Sequence, residues 1–171
     1  MIESERLILR PPLAGDFEAF AAMFADAGVT RHIGGVQARS DAWARFLRDC
    51  GHWALEGFGQ FTILERASGA YVGKTGLAKF ERDLGPKAAT AVEITWTLQA
   101  AFHGRGYARE AAALALGHFD RTVGGRSACL IAEGNDASQR LAERLGYREV
   151  DRLERGGTLV ALLVRDSAPA A

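Results

Sequence analysis

Apolar and polar positions recur with two different periods along this chain, and the changes of period divide it into elements. Residues 5–10 form a short strand around Leu7, Ile8 and Leu9. Pro11 and Pro12 stop it, because neither carries an N–H for a ladder. Asp16 then stands where a helix cap belongs, ahead of Phe17, Phe20, Ala21 and Phe24 at helical spacing. A glycine-bearing stretch over residues 28–39 contains Arg31, His32, Gly34 and Gly35 and reads as a mobile lid. Ser40 offers the next cap, and Trp43, Phe46, Leu47, Cys50 and Ala54 make one apolar stripe of a second helix.

From Gly59 onward the period changes. Residues 61–64, 71–80 and 92–98 read as three consecutive antiparallel strands, separated by a Ser68-Gly69 turn and a polar connection over residues 81–87. Ala108, Ala111, Ala112, Ala115 and Phe119 then fall on one side of a helix, and small alanines let that helix approach a sheet closely. A strand at 127–132, a helix from about residue 136 to 145 and two strands at 147–153 and 158–164 follow, the last pair joined at Gly156-Gly157. The order βαα, βββ, α, β, α, ββ predicts one α/β domain over residues 1–166, with a mixed, mostly antiparallel sheet of about seven strands and four helices. Residues 167–171 read as a loose tail.

Composition narrows the partners. Lys plus Arg equals Asp plus Glu at 21 each, so no net field favours nucleic acid or an anionic membrane. The first six residues are charged where a signal peptide needs an apolar stretch, and residues 159–164 are too short an apolar run to span a bilayer. A cytoplasmic protein is expected. Cys50 and Cys129 form no paired or metal-binding spacing, and the four histidines share no spacing with carboxylates or thiols, so no metal is expected.

The candidate chemistry lies where the third of those strands hands over to a helix. His103, Gly104, Arg105, Gly106, Tyr107 and Ala108 place two glycines at that junction, where the unpaired N–H groups of a first helical turn can converge on an anion. A dinucleotide fingerprint needs a small residue where Arg109 stands, and Gly73-Lys74-Thr75 lacks both the earlier glycine and the following helix of a P-loop. From the residues alone, a phosphate cradle and a simple tight turn remain equally open.

Four local patterns, in this order, break the tie: Glu3-Ser-Glu-Arg-Leu-Ile-Leu-Arg10; Val72-Gly-Lys-Thr-Gly-Leu77; Val92-Glu-Ile-Thr-Trp-Thr-Leu98 with the glycine turn; and Asn135-Asp-Ala-Ser138 with Leu145-Gly-Tyr147. Together they resemble the GNAT superfamily of acyl-CoA N-acyltransferases, in the branch of ribosomal-protein N-terminal acetyltransferases. The resemblance covers nearly the whole chain. It implies acetyl-CoA as cosubstrate and a sheet splayed between its fourth and fifth strands, with pantetheine lying along the backbone of Trp96, Thr97 and Leu98. One N–H of that strand would face the developing oxyanion. The amides of residues 105–108 would hold the pyrophosphate, with Arg105 and Arg109 within reach of phosphates. His103 departs from the Gln or Arg common at the motif's first position.

The resemblance also implies catalytic roles. Glu93 shares a strand face with Thr95 and Thr97 and occupies the place of a glutamate that acts as base through water. The tyrosine that many relatives use as acid is replaced by Ala142, and Ser138 takes the acid's place in the resembling branch, with Asn135 expected on the pantetheine arm. Asn135 and Asp136 are also natural helix caps. The acceptor is expected to be a protein N-terminal amine or a small primary amine, attacked directly in a ternary complex, and a homodimer is common among relatives. A CoA-binding module without catalysis is the alternative.

Overall fold

In the computed structural model, which describes residues 1–167, Leu7 and Leu9 are fully buried while Ile8 and Arg10 between them are half-buried, so the first alternation becomes a sheet face. The elements run β1 (Ile2–Glu3), β2 (Leu7–Arg10), α1 (Phe17–Ala25), α2 (Ala27–Thr30), α3 (Arg39–Glu56), β3 (Gln60–Glu65), β4 (Tyr71–Lys79) and β5 (Val92–Leu98). They continue through α4 (Tyr107–Thr122), β6 (Ser127–Ala132), α5 (Asp136–Arg144), β7 (Arg148–Arg155) and β8 (Thr158–Arg165). Single 3₁₀ turns at Ala14–Asp16 and Ala100–Phe102 join neighbours.

One sheet in the order β1-β2-β3-β4-β5-β6-β8-β7 carries all eight strands, with β5 and β6 its parallel pair and the rest antiparallel. The expected α/β domain with a mixed sheet is therefore present, with one strand more than the sequence suggested. The addition is β1, which pairs only Ile2 and Glu3 with β2 and is too short to show a period. Of residues 167–171, the last four lie outside the described residues. Ser167 donates both its N–H and its hydroxyl to the Gly125 carbonyl.

The two faces of the sheet are covered differently. On one, α4 packs its alanines and Tyr107 against Leu7, Leu9, Ile63 and Val72, and the same layer continues through Leu77, Ile94 and Cys129 to Ala142 of α5. On the other, Phe17, Phe20, Met23 and Phe24 of α1 meet Ala42 and Phe46 of α3. Full burial of a side chain such as Phe24 or Ile63 contributes about 1.5–3 kcal/mol, so these layers fix which way each strand turns its residues. Tyr71 pairs with Leu64 and Gly73 with Ile63, leaving Val72 as the extra residue of a bulge in β4. Gly73 follows because a Cβ there would lie 2.2 Å from the Thr97 carbonyl oxygen of β5.

Local readings of the helix starts need correction. Asp16 does not cap α1; its carboxylate accepts from Arg10, the Leu13 N–H and the Thr62 hydroxyl, tying the turn to β2 and β3. Ser40 does not cap α3, which begins one residue earlier at Arg39. The stripe on α3 is also rotated from expectation. Trp43 and Leu47 are exposed, while Asp49 and His52 take inward positions because each finds a polar partner there. The expected lid over residues 28–39 begins inside α2 (Ala27–Thr30), which Asp26 caps through the N–H groups of Gly28 and Val29.

Candidate active site

Strands β5 and β6 are joined at one register pair, Glu93 with Ala128, and diverge beyond it. Strand β5 keeps its other neighbour throughout, pairing with β4 from Val92 to Leu98. The edge of β5 that faces β6 therefore carries backbone groups that no strand takes up. Beside it opens a cavity of about 920 Å³ lined by Thr95, Trp96, Thr97, Leu130, Asn135 and Ser138 among others. Two connecting segments reach it: residues 31–35 from the stretch after α2, and Arg82 from the connection between β4 and β5.

The glycine turn stands where β5 ends and α4 begins. Gly104 and Gly106 have φ of 74° and 78°, in the left-handed region that a Cβ disfavours. The first bond into α4 is from the Glu110 N–H to the Gly106 carbonyl, and among the described residues the amides of Tyr107, Ala108 and Arg109 meet no acceptor. A Cβ on Gly104 would meet nothing within 4 Å, and one on Gly106 only Arg6 at 3.7 Å, so the approach to these amides is open. Open donors at a helix start, next to an unpaired strand edge, are what a diphosphate followed by an amide-bearing arm needs, and the residues present fit coenzyme A.

Side chains around the turn mostly serve the fold. His103 Nε2 donates to the Leu98 carbonyl at 2.9 Å, which pins the turn to the strand end. Arg105 lies over the Phe102 ring at 5.4 Å and 3.9 Å from Glu65, and its carbonyl accepts from Arg6. Tyr107 is buried, with its hydroxyl donating to Glu65 at 2.8 Å. Arg109 is exposed.

Three of the expected residues meet inside the cavity. The Trp96 indole N–H donates to the Ser138 hydroxyl at 3.1 Å, and Asn135 Oδ1 accepts the Ser138 N–H at 3.3 Å as the cap of α5. The cap uses the carbonyl end of Asn135 and leaves its amide NH₂ for another partner. Glu93 alternates with Thr95 and Thr97 as expected, yet it is 1% exposed, behind the cavity wall and not in it. Both its oxygens accept from Arg82, at 2.8 and 2.5 Å. Leu98 and residues 103–109 likewise lie outside the wall of this cavity.

Burial, together with the charge of Glu93, pushes the Cys129 thiol far above its ordinary range, and burial raises Cys50 as well. Both shifts disfavour the thiolate, the form in which a cysteine attacks. Among the described residues no group of three His, Cys, Asp or Glu side chains is placed to hold a metal, and no helix is long and apolar enough to cross a membrane.

Sequence reasoning missed the cations of this site. Arg45, Arg48, Lys74, Arg82 and Arg155 line the cavity from four separate elements or connections, so no run of charge in the chain announces them. Lys74 and Asp49 form a buried ion pair, signalled only by a charged residue at an inward position of each element.

Residues 6–148 match the family model described as an acetyltransferase (GNAT) domain. Among solved structures, a GNAT-family acetyltransferase from Bordetella pertussis is similar with a TM-score of 0.85 and 32% identity, over 96% of this chain and 98% of that one. An acetyltransferase from Agrobacterium tumefaciens gives a TM-score of 0.82 and 26% identity, over 97% and 94% of the two chains. The ribosomal-protein α-N-acetyltransferase RimL, solved with coenzyme A, shares the fold at a TM-score of 0.76 and 17% identity, over 96% of each chain.

Proposed function

The chain belongs to the GNAT acetyltransferase family, and from that premise we propose that it moves an acetyl group from acetyl-CoA to a primary amine, a protein N-terminal α-amine or a small amine, by direct attack within a ternary complex. The observation that carries this reading is the divergence of β5 from β6 after the single Glu93–Ala128 rung, beside a helix start with open amides.

Acetyl-CoA, when bound, supplies the thioester acetyl. The amides of residues 105–108 hold its pyrophosphate, aided by the positive end of α4 and by Arg109, while the Trp96, Thr97 and Leu98 backbone pairs with the pantetheine arm. One N–H of that edge faces the thioester oxygen and stabilises negative charge as it develops. Asn135 donates its free amide NH₂ to the arm, and the Ser138 hydroxyl, oriented by Trp96, donates to the departing sulfur.

An α-amine has an ordinary pKa near ~8, so attack requires loss of a proton. Glu93 accepts that proton through water. Glu93 lies behind the cavity wall, so this relay requires a water admitted beside Arg82, which lines the cavity and occupies only two of the carboxylate's roughly four lone-pair sites. The raised thiol pKa values of Cys50 and Cys129, which disfavour the thiolate, support direct attack over an acyl-enzyme.

The test is thiol release from acetyl-CoA with a panel of small amines and N-terminal peptides, beside calorimetry of coenzyme A binding to the wild type and to Gly106→Val. Transfer to at least one amine, and a fall of about tenfold or more in cofactor affinity in the variant, is expected, since valine is strained by about 1–2 kcal/mol in the left-handed region and the free turn relaxes to a conformation that no longer presents these amides. Tight cofactor binding with no acceptor in the panel would instead favour a binding module without catalysis.

A further inference from the structure

Guanidinium groups crowd the part of the cavity away from α4. Arg31 comes from the segment after α2, Arg45 and Arg48 from α3, Arg82 from the connection after β4, and Arg155 from the end of β7. Asp49, Glu93 and Glu133 are the carboxylates near them in this cavity, and Asp41 shares the wall of the second cavity with Arg45 and Arg48 without pairing with either. Asp49 takes Lys74 and stands 3.7 Å from Arg48, and Glu93 takes Arg82 with both oxygens. Arg45 meets no carboxylate among the described residues; its guanidinium lies over the Phe24 ring at 4.9 Å. Arg155 donates Nη2 to the Asp83 carbonyl, but its Nε–H is buried without an acceptor. A second cavity of about 480 Å³ shares Ile33, Gly34, Arg45 and Arg48 with the first, which puts those two arginines where the cavities meet.

Cations brought together from separate elements and left partly unpaired are a cost unless something compensates them. Burial holds the Arg45 pKa below its ordinary value, Arg48 and Arg82 push the same way, and Asp49 offsets them only in part, so an incoming anion relieves the remainder. The phosphates of the cofactor do not account for the cluster. Their proposed cradle opens α4, which packs on the face of the sheet opposite α3.

We propose that the amine acceptor carries an anionic group, a carboxylate or a phosphate, which Arg31, Arg45 and Arg155 bind while its amine is presented to the Trp96–Ser138 edge. This rests on the acetyl-transfer reading and narrows its acceptor to one class. Guanidinium forks suit both anions, since each offers paired oxygens to two N–H donors. A polyamine or other polycation is disfavoured by the same cluster.

The experiment compares acceptors that differ only in charge, using the full chain and acetyl-CoA. The pairs are a dipeptide and its C-terminal amide, O-phosphoethanolamine and ethanolamine, and peptides with aspartate or asparagine after the first residue. The anionic member of at least one pair is expected to have a kcat/KM about tenfold or more above its neutral partner, falling steeply with added salt, and the pair that responds identifies the source of the anion. In Arg45→Gln that ratio is expected to fall toward one, with coenzyme A affinity retained. Binding is measured in parallel as thermal stabilisation of the CoA-saturated protein by each member of a pair. Neutral amines acetylated as well as anionic ones overturn the inference and leave acetyl transfer intact. Anion-selective binding with no turnover upholds the inference and overturns the transfer. Equal ratios in the wild type and Arg45→Gln, despite selectivity, overturn the assignment of Arg45.

Discussion

The indole N–H of Trp96 donates to the Ser138 hydroxyl across 3.1 Å and so joins the diverging part of β5 to the first turn of α5. An indole only donates, so the serine oxygen must be the acceptor and its own proton is turned elsewhere. That orientation is what a group positioned to meet a leaving thiolate requires.

Ser138→Ala should therefore lower kcat by about tenfold to a hundredfold, at or below the low end of what a positioned proton donor contributes because a serine hydroxyl is a weak acid, while coenzyme A affinity changes little. Trp96→Phe keeps a ring in place and removes the donor, so its loss should be smaller. If Trp96 works through Ser138, the double variant is no worse than Ser138→Ala alone. Thiol-release kinetics on the four proteins decide it, and additive losses would show that the contact only packs.

Elements with a sustained period were legible in the sequence, and those held by a few specific contacts were not. The stripe Ala111, Ala112, Ala115 and Phe119 announces α4, and its residues are buried as a helix face requires. By contrast β1 rests on two register pairs and α2 on the Asp26 cap, neither of which leaves a repeat. The connection after β4 looked merely polar, yet Leu84 and Ala88 bury themselves against β6 and β8, and Arg82 returns to Glu93. For the site, the strand, the glycine turn and the Asn135 to Ser138 helix start were visible as motifs. The cations were not, because Arg31, Arg45, Arg82 and Arg155 become neighbours only when four distant segments fold together.

The Glu93–Arg82 pair is lopsided in its exposure, 1% on the carboxylate and 42% on the guanidinium. Removing the arginine leaves a buried charge without compensation, whereas removing the glutamate leaves a cation that can turn to solvent. Arg82→Gln should cost about 3–5 kcal/mol, the range for stripping one partner from a buried pair, and Glu93→Gln clearly less. Activity should run the other way, with Glu93→Gln losing about a hundredfold in kcat if the carboxylate is the base. Urea midpoints and initial rates on both variants separate the two effects. Equal destabilisation would contradict the exposure argument.

Lys74 and Asp49 are both nearly inaccessible, at 6% and 4% exposure. Burial pushes the Lys74 pKa below its ordinary value, Asp49 pulls it back, and Arg45 and Arg48 push it down again. In Asp49→Asn the counterweight disappears, and a loss of about 3–5 kcal/mol is expected near neutral pH. The unfolded chain then holds the Lys74 proton more tightly than the folded one, so the variant's stability rises with pH through the window between the two pKa values. Its deficit against wild type, read from urea unfolding at pH 6 and pH 9, should be narrower at the higher pH. A deficit that is constant or widens would show that Lys74 is not under this strain.

Asp16, which ties β2 to β3, is expected to make this part of the sheet acid-sensitive. Burial alone would raise its pKa, but two bonds from Arg10, with the Leu13 N–H and the Thr62 hydroxyl, more than offset that and hold it below the ordinary carboxylate value. A carboxyl with a depressed folded-state pKa stabilises the fold fully above its unfolded value, near ~3.9, and loses that contribution as pH falls through the folded value. Asp16→Asn should therefore be less stable than wild type at pH 7, and the two denaturation midpoints should converge as pH drops below about 4, because protonation does to wild type what the substitution has already done. Arg10→Met should show the same convergence, since it removes the cation that holds the carboxylate ionised. Parallel curves from pH 7 to pH 3 would place the acid response of this edge elsewhere than at Asp16.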